Sequence, residues 1–107
     1  MNGALAGLRI AVVEREKVGG TCLHRGCIPT KSLLQTASVV RTVVGAKEFG
    51  VQASYPSVDF AVSQTYKQKV VDQLYRGLGS LMTHRQITIF AGSGTLLFGR
   101  QVQIDGP

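Results

Sequence analysis

Along the chain the period of the apolar positions changes, and each change marks an element. From Leu8 to Glu14 the run Leu-Arg-Ile-Ala-Val-Val-Glu is short, apolar and β-branched, the pattern of a buried strand that ends on a carboxylate. Beyond Lys31 the period lengthens to that of a helix. Leu33, Ala37, Val40 and Val44 fall on one stripe with Leu34 beside it, and Gly45 is placed as a stop. A loop through Phe49-Gly50-Val51 and Tyr55-Pro56 leads to a second, longer helix, which Ser57 or Asp59 is able to cap. Its expected apolar face is Phe60, Tyr66, Val70, Leu74, Leu78 and Leu81, and Gly77 and Gly79 weaken its last turns by about 1 kcal/mol each relative to Ala. The remainder reads as β. Ile87 to Ala91 predicts a strand, and Gly92-Ser93-Gly94 a tight turn where backbone approaches a neighbour or a ligand closely. Thr95–Phe98 and Gln101–Ile104 predict a hairpin through Gly99-Arg100, whose leading glycine suits a type II′ turn, and Asp105-Gly106 opens another turn.

Composition changes this picture little. The 107 residues are ordinary for one small globular domain, 44% hydrophobic and 17% charged. No basic leader precedes an apolar core, and no apolar run approaches the length of a membrane span. The expectation is a cytoplasmic protein with no membrane partner, and in that reducing setting a cysteine pair is more often catalytic or metal-binding than structural. Twelve Lys and Arg against six Asp and Glu give a net charge of +6, which suits an anionic partner such as nucleic acid, phosphate or a dinucleotide. The basic residues are scattered, without a cluster or interleaved aromatics. No nucleic-acid partner is therefore expected.

The chemistry concentrates in Gly19-Gly20-Thr21-Cys22-Leu23-His24-Arg25-Gly26-Cys27-Ile28-Pro29-Thr30-Lys31, which holds both cysteines of the chain. A regular helix through both would separate their Cα atoms by about 7.5 Å, beyond the roughly 7 Å that a disulfide tolerates. A bridge between them requires a tightened or irregular turn. Gly26 supplies backbone freedom for one, and Pro29 stops a helix from running through while suiting the first turn of a helix that starts there. Lys31 lies one helical turn beyond Cys27. An ammonium and a helix N-terminus both favour thiolate, so Cys27 is placed for a lowered pKa. A structural zinc site needs four ligands in compact spacing; Cys22, Cys27 and His24 have only the distant His84 to add, and no metal is expected.

Those residues resemble the redox-active disulfide of the flavin-dependent pyridine nucleotide disulfide oxidoreductases (class I), whose stretch usually reads G-G-T/V-C-L-N-x-G-C-I-P-S/T-K. His24 stands where Asn is usual, and Thr30 is one of the two common choices. The segments Tyr66-Lys67-Gln68-Lys69-Val70-Val71, Leu74-Tyr75-Arg76-Gly77-Leu78 and Gly92-Ser93-Gly94 are similar, within that family, to the members that oxidise dihydrolipoamide. The resemblance implies an α/β fold in which residues 1–107 are part of an FAD/NAD(P)-binding, Rossmann-like domain of glutathione-reductase type. The N-terminal strand and its G-x-G-x-x-G turn would be missing, residues 2–7 would be the end of the following helix and its exit, and a β-hairpin would close the C-terminal end.

Carried over by position, Cys22 and Cys27 would form the catalytic disulfide, Cys22 as the interchange sulfur exposed to the dithiol and Cys27 facing the flavin. Lys31 would sit by the reactive edge of the flavin. Glu14, Gly20 and Thr21 would line the FAD ribose and phosphates, and Gly92 would offer a backbone contact. Electrons would pass from dihydrolipoamide on a lipoyl carrier of 2-oxoacid dehydrogenase complexes, through Cys22–Cys27 and FAD, to NAD held by a domain absent from this chain. The family's acid-base His-Glu pair, given by the other subunit of a homodimer, has no match here. His24 is expected in a solvent-facing loop, and His84 at a helix C-terminus where its charge suits the dipole. The alternatives are another member of the family, a mycothione, glutathione or mercuric reductase, and a non-catalytic truncated fragment.

Overall fold

The computed structural model describes residues 2–54 and 57–106; Tyr55 and Pro56 of the expected loop lie outside them. The chain divides into two compact units, residues 1–20 with 75–107 and residues 21–74.

The first unit opens with helix α1 (Asn2–Leu5). Gly7 adopts φ +77°, and the Leu8 and Gly7 amides donate to the Gly3 and Ala4 carbonyls at 3.0 and 3.2 Å. This pair of bonds is a Schellman ending, which satisfies the last helical carbonyls. Because Leu8 is consumed by that ending, strand β1 is shorter than the apolar run suggested and spans Ala11–Glu14. It pairs in parallel with β2 (Thr88–Ala91), from Ala11 opposite Thr88 to Glu14 opposite Ala91. The core of the unit is Val18, Met82 and Ile87, with Ile10, Val12, Tyr75 and Leu78 packed on it. Full burial of each such side chain contributes roughly 1.5–3 kcal/mol.

Past Gly92, β3 (Ser93–Leu97) and β4 (Gln101–Asp105) form the hairpin. Ser93 and Gly94 therefore belong to a strand rather than to a turn, and Asp105 pairs with Ser93 instead of opening a new turn. The connection is also not type II′. Leu97 pairs with Gln101, leaving Phe98–Arg100 as the loop, with both Gly99 and Arg100 at positive φ (82° and 63°); a type II′ turn has positive φ at its first central residue only.

The second unit contains α2 from Thr21 onward, α3 (Cys27–Gly45), a 3₁₀ turn (Ala46–Phe49) and the first part of α4 (Phe60–His84). Gly45 is the last residue of α3, as the pattern placed it, although the chain runs on into the 3₁₀ turn. It keeps a right-handed conformation, and Gly50, at φ +75°, ends the 3₁₀ turn with its amide donating to Lys47. Asp59 rather than Ser57 caps α4, its Oδ1 accepting the Val62 amide at 3.1 Å. The buried hydroxyls of Ser32 and Ser63 donate to Ile28 and Asp59 carbonyls, so neither leaves a polar group unsatisfied.

The expected face of α4 is only half right. Val71 and Met82 are the buried apolar positions and Leu78 is half-buried, whereas Phe60, Tyr66, Leu74 and Leu81 are exposed. Val70 of the expected face is also half-buried, and Val71 and Met82 lie outside that face. On α3, Leu34 and Val44 are likewise exposed, while Ser32 is the buried residue.

Candidate thiol site

The cysteine stretch opens the second unit. Helix α2 (Gly20–His24) carries Cys22 and is closed by the Arg25 amide donating to the Thr21 carbonyl at 2.9 Å. His24 ends this helix half-buried, not in a solvent-facing loop. Gly26 then turns the chain into α3, where space for a side chain is tight. A Cβ on it would stand 3.1 Å from the Thr21 carbonyl oxygen and 3.3 Å from Cys22 Cα. Cys27 is the first residue of α3 and Pro29 the third. Proline costs nothing at that place, because the first amides of a helix have no intrahelical acceptor. Thr30 ties the turn down, its amide and Oγ1 both donating to the Gly26 carbonyl at 3.1 and 2.8 Å.

This break between two helices brings Cys22 against Cys27, as the spacing required. Both side chains are exposed and the sulfurs are not bonded to each other. A hydrogen bond with the Cys27 side chain holds the Cys22 thiol above the ordinary pKa of a cysteine. Loss of solvent and the charge of a Cys27 thiolate act in the same direction. The Cys27 amide, donating to the Cys22 sulfur, and the Lys31 ammonium oppose them. The arrangement can lose two electrons and two protons to close a disulfide, and can take a thiolate's attack at an exposed sulfur.

Of the remaining candidates, Glu14, Gly20 and Gly92 lie in the first unit. Glu14 ends β1 half-buried, its Oε1 accepting the Glu16 amide at 2.9 Å. Its carbonyl accepts the Gly92 amide at 3.0 Å. Glu14 and Gly92 therefore stand together at the carboxyl ends of two parallel strands, the edge where α/β sheets bind their ligands. Gly92 needs to be glycine for a reason inside the chain: it holds φ +141°, and a Cβ would strike the Asp105 carbonyl. Its amide is already bonded, so any contact it makes with a cofactor is not through N–H. Gly20 adopts φ +62° with open space where a Cβ would be, and Gly19 beside it adopts φ +113°. Thr21 and Lys31 are exposed in the second unit. Among the described residues no three His, Cys, Asp or Glu side chains group as metal ligands, and no helix is long and apolar enough to cross a membrane.

No family model matches the chain. A dihydrolipoyl dehydrogenase of Bacillus subtilis (strain 168) is 47% identical to it over 97 residues, 91% of the chain. The chain is similar to a part of the dihydrolipoyl dehydrogenases. The enzyme of that name from Chlamydia muridarum (strain MoPn / Nigg) is 39% identical over 106 residues, and that from Acholeplasma laidlawii 36% identical over 107, each match covering 99% of the chain. The chain spans 20%, 23% and 32% of the length of these three relatives. The similarity to dihydrolipoyl dehydrogenase that the cysteine stretch and the α4 segments suggested thus extends over nearly the whole chain.

Sequence reasoning missed a trough between α3 and the start of α4. It is lined by Val39, Val40, Val43, Val58 and Val62 with Tyr66 at one end, and extends along α3 past Arg41. Of its valines only Val40 was read from the sequence, as part of the stripe on α3.

Proposed function

We propose that this chain supplies the dithiol centre, and part of the FAD-binding surface, of a flavin-dependent disulfide oxidoreductase. Its substrate would be dihydrolipoamide on a lipoyl carrier of a 2-oxoacid dehydrogenase complex, and the parent enzyme a cytoplasmic homodimer. The observation that carries this reading is the hydrogen-bonded contact of Cys22 with Cys27 across the Gly26 turn at the head of α3. Residues 1–107 are read as part of an FAD/NAD(P)-binding, Rossmann-like domain. The parallel pairing of β1 with β2, and Glu14 at the carboxyl end of β1, support that assignment.

The reaction begins from the Cys22–Cys27 disulfide. A substrate thiolate attacks Cys22 Sγ, the Cys22–Cys27 bond breaks, and Cys27 leaves as thiolate. The second substrate thiol loses its proton and attacks its own sulfur in the mixed disulfide. Cys22 leaves, takes a proton and lipoamide is released. Two electrons and one proton have then moved from the substrate, which entered as a monothiolate, to the cysteine pair, which ends as a Cys22 thiol and a Cys27 thiolate. The hydrogen bond with the Cys27 side chain stabilises the Cys22 thiol of this reduced state. Bound FAD would supply the acceptor for those electrons and NAD, on a further domain, the final one.

The chain's residues fit FAD in part. The Glu14 carboxylate, with acceptor capacity beyond the Glu16 amide, would take a ribose hydroxyl. Gly20 and Thr21 would lie along the phosphates, and Gly20 leaves its backbone open to close approach. Lys31 would hold negative charge beside the flavin. Gly92 would serve through its carbonyl side, since its amide is bonded to Glu14.

Trapping tests the division of labour. Cys27→Ser, treated with oxidised lipoamide and alkylated to block the freed lipoyl thiol, should accumulate the mixed disulfide at Cys22 by peptide mass mapping. Cys22→Ser should accumulate far less at Cys27. Equal trapping at both sulfurs would refute the assigned roles.

A further inference from the structure

The peptide unit that joins Gly26 to Cys27 is held at both ends. Its carbonyl accepts two hydrogen bonds from one residue, the Thr30 amide at 3.1 Å and the Thr30 Oγ1 at 2.8 Å. Its amide, that of Cys27, donates to the Cys22 sulfur. A peptide unit is planar, so any rotation of the carbonyl carries the amide with it. Gly26 also lies close to the Cys22 backbone, where a Cβ on it would stand 3.3 Å from Cys22 Cα.

Any residue at position 30 except proline would give the amide bond; the hydroxyl is what threonine adds. Thr42 on α3 and Thr65 on α4 return their hydroxyls in the same way to the Ser38 and Ala61 carbonyls. Those acceptor peptides lie inside the helices and end in the amides of Val39 and Val62. The Thr30 bond differs because its acceptor peptide ends in the amide of a cysteine. Hydroxyl, peptide unit and sulfur thus form a series of hydrogen bonds, and bonds in series polarise one another. We propose that Thr30 is a positioning residue of the dithiol centre, its hydroxyl holding the Gly26–Cys27 plane so that the Cys27 amide stays aimed at Cys22 Sγ. The inference rests on the pairing of Cys22 with Cys27 in the function proposed above. There the amide meets Cys22 as it leaves the mixed disulfide with negative charge, before it takes its proton.

The test follows alkylation of Cys22 by iodoacetamide against pH in the full chain, read by peptide mass mapping. Thr30→Val removes the hydroxyl and keeps the branch, and Thr30→Ala removes it with the best helix-forming residue, so that the comparison does not depend on the helix propensity of valine. Thr30 is exposed, and neither variant opens a cavity. Thr30→Ser restores the hydroxyl, and Thr42→Val removes the same kind of bond from the body of α3. Both hydroxyl-free variants at position 30 should alkylate Cys22 about threefold more slowly on the rising part of the profile, a displacement of about half a pH unit upward. Thr30→Ser and Thr42→Val should follow the unsubstituted chain, and all profiles should coincide in denaturant. Hydroxyl-free variants that follow the unsubstituted chain would overturn the proposal, as would Thr30→Ser or Thr42→Val displaced as far as Thr30→Val. An unsubstituted chain that closes no Cys22–Cys27 disulfide with lipoamide would refute the dithiol reading itself, and with it the role of Thr30; normal closure with undisplaced Thr30 variants would refute the role of Thr30 alone.

Discussion

Residues decide this site through space and hydrogen bonds, and two of them carry sharp expectations. Cys22 holds its proton more tightly than an ordinary thiol, chiefly through its hydrogen bond with Cys27. Its alkylation by iodoacetamide, followed by peptide mass mapping, should therefore rise only at pH above the ordinary cysteine range. Cys27→Ala removes the leading cause and should move that rise to lower pH; an unchanged profile would contradict the contact. The sign for stability follows. A thiol whose folded pKa is raised stabilises the fold while it stays protonated, and that contribution is lost as pH rises through the folded value. Gly92 is the second case. Gly92→Ala would place a Cβ on the Asp105 carbonyl at φ +141°, at a cost of at least about 1–3 kcal/mol from backbone strain alone. Thermal unfolding should show a lowered midpoint. The need for glycine was legible in the sequence as a tight approach, but the approaching group was not. It comes from β4, through pairing that local pattern does not encode.

At the scale of elements, Asp59 and the two glycines of α4 set helix stability in opposite directions. Asp59→Ala removes an observed cap and should cost about 1 kcal/mol. Gly77→Ala and Gly79→Ala should each stabilise by about 1 kcal/mol, because a Cβ at either position meets nothing within 4 Å. Circular dichroism melts of the three variants check both signs. Most elements were legible because period and punctuation agree locally: β1, α3, α4, β2 and the hairpin all exist. Gly45 ends α3 where the pattern placed it, but in a right-handed conformation, so the chain runs on as a 3₁₀ turn until Gly50 takes the left-handed one. On α4 the periodicity favoured the stripe through Phe60 and Tyr66, while packing with Val12, Val18 and Ile87 buried Met82.

For the whole molecule, the site divides by how its parts are held. Cys22, Cys27 and Lys31 were legible from sequence because one continuous stretch of α2, turn and α3 assembles them. Glu14 and Gly92 were each legible as residues, yet their mutual hydrogen bond depends on two strands more than seventy residues apart in sequence. The chain leaves Leu96, Phe98 and Phe49 exposed at 85%, 103% and 84%, and no large side chain is completely buried among the described residues. So much uncovered apolar surface predicts strong binding of a hydrophobic dye such as anilinonaphthalene sulfonate by the isolated chain. Dye fluorescence should fall when the groups that cover these residues are present.

The central claim is that Cys22 and Cys27 work as one two-electron couple. Its most direct test equilibrates the purified chain with graded ratios of dihydrolipoamide to lipoamide, quenches with acid, alkylates, and reads intact mass, in native buffer and in denaturant. The account predicts a single transition in which both thiols appear together, with its midpoint in native buffer displaced from that in denaturant. Identical midpoints in the two conditions, or cysteines that pair with the lipoyl reagent but not with each other, would contradict it.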